Sequence, residues 1–418
     1  MPEPSLTGLF RVFGRIGLLS FGGPAAQIAL MHRELVENRS WLTEQQFLNA
    51  LSFCMLLPGP EAMQLATYAG WRLRGTPGGL IAGLLFVLPG AALILVLASF
   101  YAAYGSVPLV EALFLGIKAT VIVIVIQALL KVSRKALKGP LPIVIAVVAF
   151  VAIFVFQVPF PLIILAAAAI GAIALRGPRS PMVPLTTSPA ATLGTVATWA
   201  TIWLLPLALL WAFAPPILAE VARFFATLAI VTFGGAYAVL AYMVQEVVGQ
   251  YGWLTTGQMM DALGLAETTP GPLILVTQFV GFMVGAQAGG WGMGLAAALV
   301  TLWVTFAPCF LWIFAGAPYV DWIATRPRLT GALHAITAAV VGVIANLSVW
   351  FALNVWFASV ERNAAGLWVP DIATLSLSAL ALSALAAALL IWRKLDLLWV
   401  LAAMALAGIA LAAATTGI

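Results

Sequence analysis

Two tripeptides in this chain, Phe21-Gly22-Gly23 and Pro58-Gly59-Pro60, recur 212 residues later as Phe233-Gly234-Gly235 and Pro270-Gly271-Pro272. Glycine frees the backbone and proline removes an amide donor, so each tripeptide interrupts a helix. A helix restarted after such a break presents N–H groups without intrahelical acceptors and carries about half a positive charge at that end. Four restarted helices suit an anion better than a cation. Ser20, Thr232, Thr268 and Thr269 place hydroxyls at the breaks, Pro24 follows the first of them, and Gln27, Gln64 and Gln278 stand on adjacent helical faces. A small tetrahedral oxyanion fits this inventory. The competing reading is that these glycines and prolines only permit close packing, as Gly281, Gly285 and Gly289 do at GxxxG spacing.

Ionisable residues inside apolar runs are few. Lys118 is the only basic residue in the middle of an apolar span, and an intramembrane charge marks a functional site by default. It is therefore a candidate substrate ligand, with snorkelling to the interface as the alternative. Glu61 follows Pro58-Gly59-Pro60 directly, Glu267 precedes Pro270, and Asp261 lies in the same broken segment. These three carboxylates are proton-coupling candidates. Arg11 and Arg15, one turn apart ahead of the first break, either draw anions from the cytoplasm or anchor topology. Glu34 and Glu246 occupy equivalent loop positions beside the capping boxes Thr43-x-x-Gln46 and Thr255-x-x-Gln258, and a structural role is expected of them.

The elements that position these residues must be membrane helices. The chain has 418 residues, 63% hydrophobic and 8% charged, against about 25% charged for a soluble domain. Its 19 basic residues are scattered between apolar runs, which reads as topology signal and not as a nucleic-acid surface. Two cysteines and two histidines offer no cluster for a metal, haem or iron–sulfur group, so no cofactor is expected. Cys54 and Cys309 sit in apolar runs as small buried hydrophobes. No catalytic constellation and no Walker sequence is present, which argues against an enzyme or an ATP-driven pump.

Self-similarity decides the organisation. Residues 20–60 align without a gap with 232–272, and 17 of the 41 positions are identical; further on, the offset becomes 219, pairing Pro89 with Pro308. The expected division is a first transmembrane repeat over 1–176, a linker with a single span over 177–217, and a second repeat over 218–418. Nine ordinary apolar spans are expected near 80–103, 109–130, 140–157, 160–176, 192–214, 291–315, 330–352, 371–392 and 396–416. The stretches 6–74 and 218–286 instead hold broken segments, read as re-entrant hairpins because that path puts 16 of the 19 basic residues on one face. Arg33, Arg39, Arg72 and Arg74 lose their charge in the second copy, at Gln245, Tyr251, Val284 and Ala286. Opposite charge bias in homologous loops is the mark of inverted-topology repeats, so the expected fold is an all-α polytopic membrane protein of that kind.

The Phe-Gly-Gly-Pro segment, the following Trp41-Leu42-Thr43, the Pro-Gly-Pro and the duplication together resemble the chromate ion transporter family in its long, two-domain form. The resemblance is densest over residues 13–90 and 225–282. It implies a multi-pass protein of the bacterial inner membrane that exports chromate by alternating access and confers chromate resistance, with proton coupling as an option. Sulfate or another oxyanion, or a lipid phosphate, is the alternative cargo, and the state of assembly, monomer or homodimer, is left open. The second copy replaces Pro24, Glu61 and Gln64 by Ala236, Leu273 and Val276, which implies unequal contributions from the halves.

Overall fold

The computed structural model describes residues 4–175, 188–233, 236–320, 322, 326–363 and 367–416. Gly234, Gly235, Arg176, Arg179 and linker residues 177–187 lie outside the described residues. The chain is an all-α polytopic membrane protein. Helices occupy each of the nine expected spans: six are long and apolar enough to cross a bilayer and three shorter apolar helices accompany them.

The first stretch is built of short pieces: α1 (Leu6–Leu19), α2 (Gly23–His32) continued by a π turn (Arg33–Glu37), and α3 (Glu44–Cys54). At 1.5 Å per residue, the 11 residues of α3 extend about 17 Å, half of a bilayer core. Gly22 and Gly23 at the first break and Gly59 at the second have positive φ, a backbone region that side chains with a Cβ avoid. The capping box at Thr43 opens α3: its hydroxyl accepts from Gln46 N while Gln46 Oε1 accepts from Thr43 N.

Next comes α4 (Glu61–Tyr104), which folds back on itself at Arg74 (φ −148°) and Gly75 (φ +62°). A Cβ placed on Gly83 would stand 2.4 Å from Thr67 Oγ1, whereas a straight helix would hold these residues about 24 Å apart. The arms 61–74 and 76–104 are therefore antiparallel. The remaining elements are α5 (Pro108–Ala136), α6 (Pro140–Phe154), α7 (Phe160–Ala174), α8 (Pro189–Phe213), α9 (Pro216–Val231), α10 (Ala236–Val244), α11 (Thr256–Thr268), α12 (Val276–Gly316), α13 (Pro327–Trp356), α14 (Leu377–Ala387) and α15 (Leu397–Thr416).

In α12 the same fold-back recurs at Gly289 (φ −156°) and Gly290 (φ +75°), and a Cβ on Gly281 would stand 2.2 Å from Thr301 Oγ1. The matching dihedrals pair Arg74 with Gly289. The register of the repeat has thus already shifted by three residues from the 212 offset, so the counterparts of Arg72 and Arg74 are Gln287 and Gly289, not Val284 and Ala286. The loss of charge in the second copy is unchanged. A second departure is a small antiparallel hairpin, Val360–Arg362 with Trp368–Pro370, where the span near 371–392 was expected to begin; α14 starts only at Leu377.

The chain forms two compact units, each drawing on both repeats. The first comprises Met1–Ser99, Arg176–Val239 and Thr269–Gly331; the second comprises Phe100–Leu175, Leu240–Thr268 and Ala332–Ile418. Within the first, a Cβ on Gly79 would lie 2.5 Å from the Phe314 ring and one on Gly83 2.7 Å from the Phe310 ring, and Trp291 Nε1 donates to Ser99 Oγ at 3.3 Å. Rising numbers on one helix meet falling numbers on the other, so the corresponding arms of α4 and α12 run antiparallel. Within the second, α15 packs on α5 through Gly116 and Gly408, each facing a carbonyl of the other helix, Met404 O and Ala112 O.

Candidate functional site

In the first unit the breaks of the two repeats are joined backbone to backbone. Gly59 N donates to Thr232 O at 3.0 Å, and Gly271 N donates to Ser20 O at 2.9 Å. Ser20 and Thr232 are equivalent in the repeat, as are Gly59 and Gly271, so exchanging the halves turns one bond into the other. Pro58, Gly59, Pro60, Pro270, Gly271 and Pro272 are all buried. Phe21, Gly22, Gly23, Pro24 and Phe233 lie beside them with partial or full exposure.

The hydroxyls at these breaks are turned inward on their own helices. Ser20 Oγ donates to Ile16 O at 2.6 Å, and the Thr232 hydroxyl donates to Leu228 O. Each therefore presents an acceptor lone pair at the break, its proton being committed to the preceding turn. Thr269 is buried in the same unit.

Two amide side chains of the first repeat bond to backbone at these breaks. Gln27 Nε2 donates to Gly271 O at 2.7 Å and to Ser20 O at 3.2 Å, and Gln64 Nε2 donates to Pro58 O at 2.7 Å. Carbonyls can only accept, which fixes the NH2 group as the end facing them. The other ends, Gln27 Oε1 and Gln64 Oε1, are buried without a hydrogen-bond partner, as is Gln278 Oε1. These oxygens accept, so a bare oxyanion meets them only through a proton or a water molecule.

Helix 76–104 closes over the second repeat's break: a Cβ on Gly90 would fall 2.1 Å from Pro270 O. At the equivalent place in the other half, Cys309 Sγ stands 3.1 Å from where a Cβ on Gly59 would be. Both cysteines are free and buried. Glu61 opens α4 immediately behind Pro60, partly buried. Arg11 and Arg15 are exposed on α1, on the face opposite Leu9, Val12, Phe13 and Ile16. Glu34 is buried and ion-paired with Arg39, the structural role expected of it.

The second unit holds a different cluster. Lys118 Nζ lies 2.9 Å from Asp261 Oδ1, and Tyr101 Oη donates to Asp261 Oδ2 at 2.7 Å. A Cβ on Gly264 would stand 2.5 Å from Ile117, so the close approach of α11 to α5 one turn along sets Asp261 opposite Lys118. Glu267 is buried on the same helix, and Thr268 Oγ1 donates to Leu265 O at 2.8 Å. The sequence offered Lys118 and Asp261 as separate candidates for separate roles. Their pairing had a signal: one mid-span cation among three intramembrane carboxylates needs a partner. Tyr101 had none, since a tyrosine 160 residues away reads as an ordinary span residue.

Buried helix breaks joined across a duplicated chain, and ionisable groups paired within apolar helices, define a multi-pass membrane protein with an internal polar site. The chromate transporter family model matches residues 7–172 and 219–409, and the chain belongs to that family. It is 33% identical over 347 residues to a chromate transport protein of Pseudomonas aeruginosa, covering 82% of this chain and 80% of the relative. Identity to a chromate transport protein of Cupriavidus metallidurans is 30% over 350 residues, covering 82% of each. A probable chromate transport protein of Synechococcus elongatus is 31% identical over 359 residues, covering 82% and 84%. No solved structure gives a significant match.

Proposed function

We propose that this chain is a secondary transporter that exports chromate from the cytoplasm by alternating access around the joined breaks. Family membership supports chromate as the cargo. The observation that carries the mechanism is the reciprocal pair of bonds, Gly59 N to Thr232 O and Gly271 N to Ser20 O. A pair that maps onto itself when the halves are exchanged is what a two-fold axis through the breaks produces. The antiparallel run of the corresponding arms of α4 and α12 supports an axis across those helices, as inverted-topology repeats require. The Phe53 and Tyr68 rings, on either side of Pro58-Gly59-Pro60, lie 6.4 Å apart. A straight crossing would separate them by about 20 Å, so the contact supports a re-entrant turn.

Breaks at membrane depth are tolerated where they are enclosed by protein or line a cavity, and here each is closed by the other repeat. Opening one reciprocal bond while keeping its partner gives two related states, one facing each side. Each elementary charge moved through 100 mV is worth about 2.3 kcal/mol, so a dianion leaving a negative-inside cell gains about 4.6 kcal/mol. Electrical drive suffices for export. Glu61, Glu267 and Asp261, the last paired with Lys118 and Tyr101, are the carboxylates assigned to additional proton coupling.

Inside-out membrane vesicles carrying the folded protein are expected to accumulate chromate saturably when the interior is made positive. Uptake equal to that of empty vesicles would sink the reading. Sulfate inhibiting at a lower concentration than unlabelled chromate would reassign the cargo.

A further inference from the structure

The reading above leaves the buried ion pair of the second unit without a task. The Lys118 ammonium and the Tyr101 hydroxyl converge on one carboxylate, the ammonium ion-paired with Oδ1 at 2.9 Å and the hydroxyl donating to Oδ2 at 2.7 Å. That is the arrangement a receptor uses for the two-oxygen edge of an oxyanion. Asp261 fills it from inside the protein. Its side chain is 9% exposed, whereas that of Lys118 is 19% exposed, so the ammonium keeps an open flank where a second anion can approach.

A structural purpose is a weak explanation. A buried pair is commonly replaced by apolar residues at no loss of stability, and an ionised pair inside a bilayer protein is costly enough to mark function. Nor does the duplication demand it: the positions corresponding to Lys118 and Asp261 are Thr337 and Asn49, both uncharged.

We infer that Lys118 and Tyr101 form an oxyanion-binding site in which Asp261 is the resident stand-in, displaced from Lys118 when a chromate-like anion binds. This deepens the transport reading and rests on it. The displaced carboxylate takes a proton from the buffered solution, the buffer acid becoming its conjugate base, because a second free anion beside one ammonium is disfavoured. Binding one anion therefore takes up one proton. Among the described residues the titratable groups facing the pair are Tyr101 on α4 and Glu111 on α5, and α14 and α15, both packed on α5, bring none over residues 377–387 and 397–416. Glu111 adds negative potential and reinforces the uptake. If Lys118 is free of Asp261 about a tenth of the time in the empty protein, removing Asp261 tightens apparent affinity about tenfold.

The test is calorimetric titration of the purified full-length protein with chromate, sulfate and inorganic phosphate. Two buffers of different ionisation enthalpy, at one mildly acidic pH, report the proton uptake. Wild type is expected to take up about one proton per anion. Asp261→Asn is expected to bind about tenfold more tightly with no proton uptake, and Lys118→Met to lose binding at least a hundredfold. Asp261→Asn binding unchanged or weaker, with wild-type proton uptake, would overturn the inference. Should either single variant fail to fold, the double variant Lys118→Met/Asp261→Asn leaves no unpaired charge, and wild-type affinity in it overturns the inference equally. A wild-type protein that binds sulfate or phosphate but not chromate fails the chromate reading alone. A double variant that transports chromate as fast as a wild type that itself exceeds empty vesicles fails this inference alone, and a wild type that binds none of the three anions fails both.

Discussion

The two halves of the first unit share a backbone and differ in side chains, and that contrast separates what makes the break from what uses it. Ser20 and Gly59 on one side and Thr232 and Gly271 on the other make the same reciprocal bonds. The fold-backs at Arg74–Gly75 and Gly289–Gly290 agree in dihedrals to within about 15°. Yet Gln27, which reaches across to Gly271 O, and Gln64, which donates to Pro58 O in its own repeat, correspond at the 212 offset to Val239 and Val276. The geometry is thus a property of the glycine and proline pattern, while the polar lining is a property of one half. A transporter built this way can pass through two symmetry-related shapes with chemically unequal faces.

The sharpest way to break the symmetry is to overfill one closure. Gly90 and Cys309 occupy equivalent places over the opposite repeat's Pro-Gly-Pro, but a Cβ at Gly90 meets Pro270 O at 2.1 Å. Gly90→Val is expected to abolish chromate transport and to destabilise the first unit by about 3 kcal/mol or more. Cys309→Ala removes one buried sulfur and is expected to cost about 1 kcal/mol with transport retained. Vesicle transport and thermal unfolding in detergent measure both, and equal losses would refute the assignment of the two positions as counterparts with unequal space.

A smaller effect tests the unequal lining. Gln27→Leu strips Ser20 O and Gly271 O of a shared donor, which is expected to cost about 1–3 kcal/mol and to lower the maximal transport rate about tenfold by loosening the bond between repeats. Val239→Ala, at the matching position, is expected to cost about 1 kcal/mol and to leave the rate within about twofold. Rates that fall together in the two variants would mean that the amide has no special part.

Where the halves agree in side chains as well, effects should agree. The capping box at Thr255, with Gln258 N to Thr255 Oγ1 at 3.2 Å, reproduces the one at Thr43. Thr43→Ala and Thr255→Ala are each expected to cost about 1 kcal/mol, read as matched shifts in unfolding temperature.

These contrasts show which features the sequence carries openly. The duplication, the breaks and the capping boxes are local patterns with one physical meaning, so Phe-Gly-Gly, Pro-Gly-Pro and Thr-x-x-Gln could be read directly. The apolar spans were legible for the same reason. What stayed hidden depends on pairings across the fold. Gln27 bonds to Gly271 O, 244 residues away, and Tyr101 to Asp261 across 160, and no periodicity announces either contact. The fold-back at Arg74 falls where the first broken stretch was expected to end and the next span to begin near residue 80, but the three-residue register slip ahead of it, already complete at Gly70 and Gly285, is visible only in the structure. The hairpin at Val360–Arg362 was masked because Trp368-Val369-Pro370 borders an apolar run and reads as the start of the next span.

The smallest expected effect lies at the loop of the first repeat and has no counterpart in the second. His32 contacts Glu44 Oε2 at 2.6 Å through Nε2 and Glu37 Oε1 at 3.1 Å through Nδ1. The hydrogen bond to Glu44, with Coulombic help from both carboxylates, raises its pKa above the ordinary 6.5 despite partial desolvation. The corresponding residues in the other half are Val244, Gly249 and Thr256. A group whose folded pKa is raised stabilises fully below its unfolded value, about 6.5, and loses that contribution as pH climbs through the folded value. The wild-type unfolding temperature is therefore expected to fall slightly between mildly acidic and mildly alkaline pH, and His32→Gln to flatten that part of the curve. The two carboxylates are exposed and His32 is only partly buried, so solvent and salt screen the contacts and the shift should shrink further in high salt. A pH dependence that survives in His32→Gln would place its origin elsewhere, and Glu246, raised by burial alone in the second repeat's equivalent of Glu34, is the next group to substitute.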